Sequence, residues 1–206
     1  MQTTPGTSLI GDATPEHDTA PKRSRFWVWV AVASVVYVLD QGSKWAAERF
    51  LSGGRPHEVF GDLLQFRLTY NPGAAFSVGT GYTIVLTVIA LVVIAVCLSL
   101  ASRLGSTSWA VALGLLLGGA VGNVTDRITR APAPFRGHVV DFIELPNWPV
   151  FNIADSAISM AAVLFVALSL RGVHLDGTRD GRRMTAEAPE ESATSDPAST
   201  DDDRRP

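Results

Sequence analysis

The sequence predicts an all-α polytopic membrane protein, with four transmembrane helices and a small extracytoplasmic β-sheet after the first. Three observations carry this. Apolar residues make up 47% of the 206-residue chain, its mean hydropathy is positive, and these residues are clumped into long blocks. Charge gathers outside the blocks: "KRSR" (22–25) stands before the first and "DGTRDGRR" (176–183) after the last. The five tryptophans, at 27, 29, 45, 109 and 148, fall near block edges, where an interfacial belt places them.

A membrane-crossing helix needs about 20 residues, and four segments qualify: Phe26–Phe50, Tyr82–Ala101, Ser108–Val124 and Ile153–Leu170. The first is apolar to Leu39 and then meets Asp40 and Lys44. No small-residue cleavage site ends that run; "DQGSKWAAERF" (40–50) follows, so it reads as an uncleaved span rather than a signal peptide. Between spans one and two, "LLQFRLTY" (63–70) alternates Leu64, Phe66, Leu68 and Tyr70 with Gln65, Arg67 and Thr69, the period of a strand with one apolar face. It ends at the turn "NPG" (71–73). The second span carries no charge. The third repeats Gly114, Gly118 and Gly122 at i, i+4, a small-residue face that lets helices approach closely.

The flanks are rich in Thr, Pro, Asp, Glu and Ser, so residues 1–24 and 174–206 are expected as disordered cytoplasmic tails around a membrane domain at 25–173. Four spans put both termini on one side. That side holds Lys22, Arg23, Arg25, Arg103, Arg171, Arg179, Arg182 and Arg183, and the opposite loops hold modestly fewer cations (Arg55, Arg67, Arg127, Arg130 and Arg136, with Lys44 and Arg49 if these are counted), which points the termini to the cytoplasm. The basic residues flank apolar blocks without forming an aromatic-interleaved patch, so no nucleic-acid partner is expected.

A few polar residues stand in apolar surroundings: Asp40 and Lys44 late in span one, Asn71 after the strand, and Asn123, Asp126 and Arg127 ending span three. Asp141 follows in the second outer loop, and Asn152 and Asp155 open span four. The four-span topology brings all of them to one membrane face. Ionisable groups at membrane depth are costly, so such a cluster is a candidate site. Each residue alone also has a plainer reading. Asp40 and Lys44, at i, i+4, form an ion pair that supports structure. Asn152 with Asp155 resembles a helix cap with an acidic third residue, and at this point that reading of Asp155 stands level with a catalytic one. Asp126–Arg127 reads as a loop-side ion pair, and Asn71 as a turn residue. His138 is discounted as a partner for Asp141.

Other chemistries lack their parts. Cys97, the one cysteine, lies deep in an apolar run and reads as filler; no disulfide or cysteine metal site can form within one chain. The four histidines (17, 57, 138, 174) are scattered, so no metal is expected. Ser43 adjoins Lys44, and adjacent helical residues do not face each other, which argues against a serine–lysine pair and leaves only Ser77 as an outside candidate for one. Two carboxylates remain. Sharing a site, they hold one proton between them, so the ionised one can activate water while the other polarises a carbonyl, with no cofactor.

"GGAVGNVTDR" (118–127), "VVDF" (139–142) and "FNIADSAI" (151–158), with "DQGSKW" (40–45) and "NPGAAFS" (71–77), closely resemble in motif and order the lipoprotein signal peptidases, or signal peptidase II. The resemblance implies an intramembrane aspartic endopeptidase of the bacterial cytoplasmic membrane, acting as a monomer at the extracytoplasmic face. Its partners would be membrane lipid and a prolipoprotein whose cysteine carries diacylglyceryl, with the cut just before that cysteine. Carried over by position, the catalytic pair is Asp141 and Asp155. Asn71, Asn123, Arg127 and Asn152 line the substrate groove, and Asp40, Lys44, Gly119 and Asp126 hold the site together. The chain departs from the family's pattern in "ITRAPAPFRGHVV" (128–140), a longer, proline-rich link that reads as a lid variation, and in its acidic C-terminal tail. The rival readings are a small proton-coupled transporter, which would place its aspartates near the midplane, and a lipid-binding scaffold, which needs no paired carboxylates.

Overall fold

A computed structural model of the chain describes residues 22–53, 55–73 and 83–179. Helix α1 spans Lys22–Phe50, α2 Thr83–Leu100, α3 Thr107–Thr129 and α4 Ile153–Leu170. All four are long and apolar enough to cross a membrane. Between α1 and α2 lie strands β1 (His57–Glu58) and β2 (Gln65–Asn71); β3 (Val139–Glu144) lies between α3 and α4. They form one antiparallel sheet in the order β1-β2-β3. The expected sheet after the first helix is therefore completed from the second loop, and β3 carries Asp141.

Helix α3 is the central wall, packed against α1, α2 and α4. Its glycines explain the closeness. A Cβ on Gly118 would lie 2.6 Å from the Ala33 carbonyl of α1, and one on Gly119 at 2.6 Å from the Ala154 carbonyl of α4. Real Cβ atoms essentially never approach so near, so an alanine at either position must push a helix away. At the end of the bundle remote from β3, Trp29, Cys97, Leu104, Ala110, Leu113 and Leu117 form the buried apolar core.

Several expectations change in detail. Helix α3 runs on beyond Val124 to Thr129 and carries Asp126 and Arg127 inside it. It can, because Asp126 is neutralised by Lys44 and Arg130 and a cation in the last turn suits the helix dipole. The apolar alternation of β2 does not hold to its end. One extra residue on β2 between the pairs Phe66↔Ile143 and Thr69↔Asp141 makes a bulge, and a one-residue slip flips every later side chain to the other face. Tyr70, expected beside Leu68, is 50% exposed, while Thr69 and Asn71 turn toward Asp141 and Val139. Trp27, Trp45 and Trp148 are exposed as a belt requires, but Trp29 is buried, and Trp109 donates its indole N–H to the Val173 carbonyl at 2.8 Å.

The tails expected at 1–24 and 174–206 lie largely outside the described residues, as do Ala74–Ser77 of the second motif. Residues 174–179 are an exception. Gly105 N–H and Ser106 N–H donate to the Leu175 carbonyl at 2.9 and 3.1 Å, and His174 N–H to Thr178 at 2.9 Å. Leu175 is thus tied by backbone hydrogen bonds to the turn that precedes α3.

Candidate active site

The polar residues named above converge at the β3 end of the bundle. At the base lies a buried ion cluster. Lys44 Nζ is 2.7 Å from Asp40 Oδ2 and 2.8 Å from Asp126 Oδ2, all three side chains fully buried, and it donates to Asn123 Oδ1 at 3.0 Å. Its three N–H bonds are all used. Asp40 also ties helices together, accepting from the Ala154 backbone N–H of α4 at 3.0 Å and from Gln41 at 3.0 Å. Gln41 in turn donates to the Gly122 carbonyl of α3 at 3.1 Å. Asp126 reaches β3, accepting from Val140 N–H at 3.3 Å. The contacts of Asp40, Lys44 and Asp126 thus link α1, α3, α4 and β3, and Gly119 lies where α3 approaches α4 closely. Asp126 and Arg127 do not form the expected pair, because Asp126 turns inward to Lys44 and to Arg130.

Above this base three asparagines present their amide nitrogens to two carboxylates, and each is oriented by a donor on its oxygen. Asn123 Oδ1 accepts from Lys44, so its Nδ2 points to Asp155 Oδ1 at 2.9 Å. Asn152 Oδ1 caps α4 by accepting from Asp155 N–H at 2.9 Å, which leaves Nδ2 to donate to Asp141 Oδ1 at 2.6 Å. Asn71 Oδ1 accepts from Gly73 N–H at 2.8 Å, and its Nδ2 meets Asp141 Oδ2 at 2.8 Å. Asn71 is therefore both a turn residue and a contact of Asp141. Asp155 fills its capping reading, closing the box on Asn152 N–H at 3.3 Å, and its carboxylate also receives Asn123.

The two carboxylates differ in surroundings. Asp141 is 1% exposed, whereas Asp155 is half-buried. Burial first, and the neighbouring charge of Asp155 second, push the Asp141 carboxyl up to about 7; the bonds from Asn71 and Asn152 pull the other way. Arg127 is buried on α3, within electrostatic range of both aspartates. Its Nη1 has no hydrogen-bond partner among the described residues, so a guanidinium N–H is available beside the pair.

Gln41, Glu48 and Arg130 join this network and escaped the sequence reading. Spacing could have found two of them, since Arg130 is i+4 from Asp126 and Glu48 i+4 from Lys44. His138 faces away from the pair, lining a cavity with Glu48, Tyr70, Arg130 and Ala131.

Lys44→Met should leave Asp40 and Asp126 buried without their cation, a loss of about 3–5 kcal/mol. The expected melting temperature in detergent falls by on the order of 10 °C, measured by scanning fluorimetry. An unchanged melting point would show that the cluster does not hold the helices.

Residues 32–171 match the model of a family described as signal peptidase (SPase) II. A lipoprotein signal peptidase from Streptomyces griseus subsp. griseus is 52% identical over 149 residues, covering 72% of this chain and 76% of that one. One from Mycolicibacterium smegmatis is 47% identical over 189 residues, covering 92% and 78%. A solved structure described as a bacterial membrane enzyme shares the fold, with a TM-score of 0.62 at 24% identity over 82% of this chain and 95% of that chain. A second so described gives 0.61 at 26% identity, over 70% and 94%. With its four membrane-length helices, this chain belongs to the signal peptidase II family of bacterial membrane peptidases.

Proposed function

We propose that the chain is an aspartic endopeptidase that removes signal peptides from prolipoproteins, cutting just before the diacylglyceryl-modified cysteine, with Asp141 and Asp155 as the catalytic pair. The observation that carries this is the pair itself: two carboxylates joined through Asn152, which donates its side chain to one and its backbone N–H to the other. Asp155, the more accessible, takes a proton from water as the water oxygen attacks the scissile carbonyl. Asp141, holding the shared proton, donates it to the carbonyl oxygen. Collapse of the tetrahedral intermediate returns that proton to Asp141 and passes the one on Asp155 to the departing amine. Asn71, Asn123 and Asn152 hold the carboxylates, and the Nη1 of Arg127, without a hydrogen-bond partner among the described residues, offers a donor to a substrate carbonyl. The site lies at the end where α1 finishes, across the bundle from Arg25, Arg103 and Arg171, which favours an extracytoplasmic site with cytoplasmic termini. The protein acts as a monomer.

This assignment has a pH signature. Asp141 must be protonated to donate, so kcat falls as pH rises through about 7. The bond from Asn71 favours the ionised form of Asp141, and Asn71→Ala removes it. The carboxyl then ionises at higher pH, and the basic limb moves up. The measurement is kcat against pH for both enzymes on a lipidated peptide, with the cut located by mass spectrometry. A limb that stays put or moves down, or a cut elsewhere than before the cysteine, overturns the reading.

A further inference from the structure

Beside the Tyr70–Val140 pair of the sheet, three charged side chains form a continuous chain. Arg130 donates Nε to Asp126 Oδ1 at 2.8 Å, and its Nη1 pairs with Glu48 Oε1. Glu48 lies near the end of α1 and also accepts from the Tyr70 hydroxyl at 3.3 Å. Asp126 accepts from the backbone N–H of Val140 at 3.3 Å. The two ends of this chain meet the sheet at telling places. Tyr70 immediately precedes Asn71 on β2, and Val140 immediately precedes Asp141 on β3. Tyr70 and Val140 are register partners, so Asn71 and Asp141 are presented together from the opposite face.

We propose that Arg130 and Glu48 are positioning residues, which hold β2 through Tyr70 and β3 through Asp126 and the Val140 N–H, and so set the geometry of the Asn71–Asp141 hydrogen bond. Arg130 suits the task because one planar guanidinium can hold two carboxylates at fixed angles, where an ammonium is a point charge. The chain is partly exposed, at 22% for Arg130 and 30% for Glu48, and opens to the cavity lined by His138 and Ala131. The partly exposed Arg130–Glu48 pair contributes little to stability, and fully buried Asp126 keeps Lys44 as its cation when Arg130 is replaced. Positioning is a different matter, since small displacements at the reacting groups cost far more in rate than in folding. Neither residue touches the proposed reacting atoms. The inference rests on the reading of Asp141 as catalytic.

The test compares Arg130→Met, Arg130→Lys, Glu48→Gln and the double variant Glu48→Gln/Arg130→Met, with Asp141→Asn alongside, all as full-length protein in detergent. For Arg130→Met, kcat per active molecule should fall by about tenfold, with KM within about twofold and little change in melting temperature. Arg130→Lys should recover part of the loss, because it can reach one carboxylate but not both. The double variant should be no slower than Arg130→Met, since both break the same chain. Should Arg130→Met fail to fold, Glu48→Gln, isosteric and neutral, carries the comparison and should lower kcat on its own. A wild-type kcat in the folded variants, or equal losses from Arg130→Lys and Arg130→Met, overturns the inference while Asp141→Asn is inactive. An active Asp141→Asn overturns the dyad instead.

Discussion

Asp141→Asn and Asp155→Asn should each reduce turnover by on the order of 10⁴-fold or more, while expression and membrane insertion stay normal. An amide at 155 cannot take a proton from water, and an amide at 141 offers the carbonyl no exchangeable acid. The Asp141 variant should show a second effect of opposite sign. Its carboxyl titrates at about 7 in the folded protein and near 3.8 when unfolded. Between these values the unfolded chain has released a proton that the folded chain keeps, so wild-type stability declines as pH rises across that window. Asparagine has no such dependence. The Asp141→Asn variant should therefore melt above the wild type at about pH 8 and converge with it near pH 4. Melting curves of both proteins at both pH values, beside the cleavage assay, provide the check. Loss of activity together with loss of stability at pH 8 would make Asp141 a structural carboxylate.

Removing the diacylglyceryl group from the substrate should slow cleavage by several orders of magnitude. The site lies at one end of the bundle, beside faces that remain open to the surroundings: Val85, Val88, Ile89 and Val92 of α2 and Met160, Val163 and Val166 of α4 are all exposed apolar side chains. Helices with such flanks can hold acyl chains laterally while the sheet takes extended peptide. Burial of lipid contributes about 0.8 kcal/mol per CH₂, so two chains outweigh what a short peptide can gain from hydrogen bonds. The comparison is one peptide, with and without lipid, in the same micelles. Equal rates would favour a membrane peptidase that ignores lipid.

The spans were legible because continuous apolar runs leave a bilayer-length helix little alternative. The convergence of Asp40, Asn71, Asn123, Asp141, Asn152 and Asp155 was also legible, because topology alone brings the ends of spans one and three and the start of span four to one face. What escaped depends on single-residue register. No pattern announces the bulge in β2, yet it turns Asn71 toward Asp141 and Tyr70 away. The pairing of the third strand was equally hidden: nothing in "VVDF" announces a partner, and it pairs with β2 across some seventy positions of chain. Asp126 was read with its neighbour Arg127, although its partners lie on another helix and one turn on.

The three asparagines have a bearing on how long such a molecule lasts. An asparagine ages when the backbone nitrogen of the next residue attacks its side-chain carbonyl, closing a succinimide that opens to aspartate or isoaspartate. At positions 71, 123 or 152 the product would aim a new carboxylate at Asp141 or Asp155, in place of the amide that now donates to it. The residues that follow are Pro72, Val124 and Ile153. Proline has no N–H to lose, and the β-branched side chains of valine and isoleucine crowd the attacking nitrogen. None is followed by glycine, the neighbour that would hinder ring closure least. The amides that hold the carboxylates in place are thus poorly placed to become carboxylates themselves.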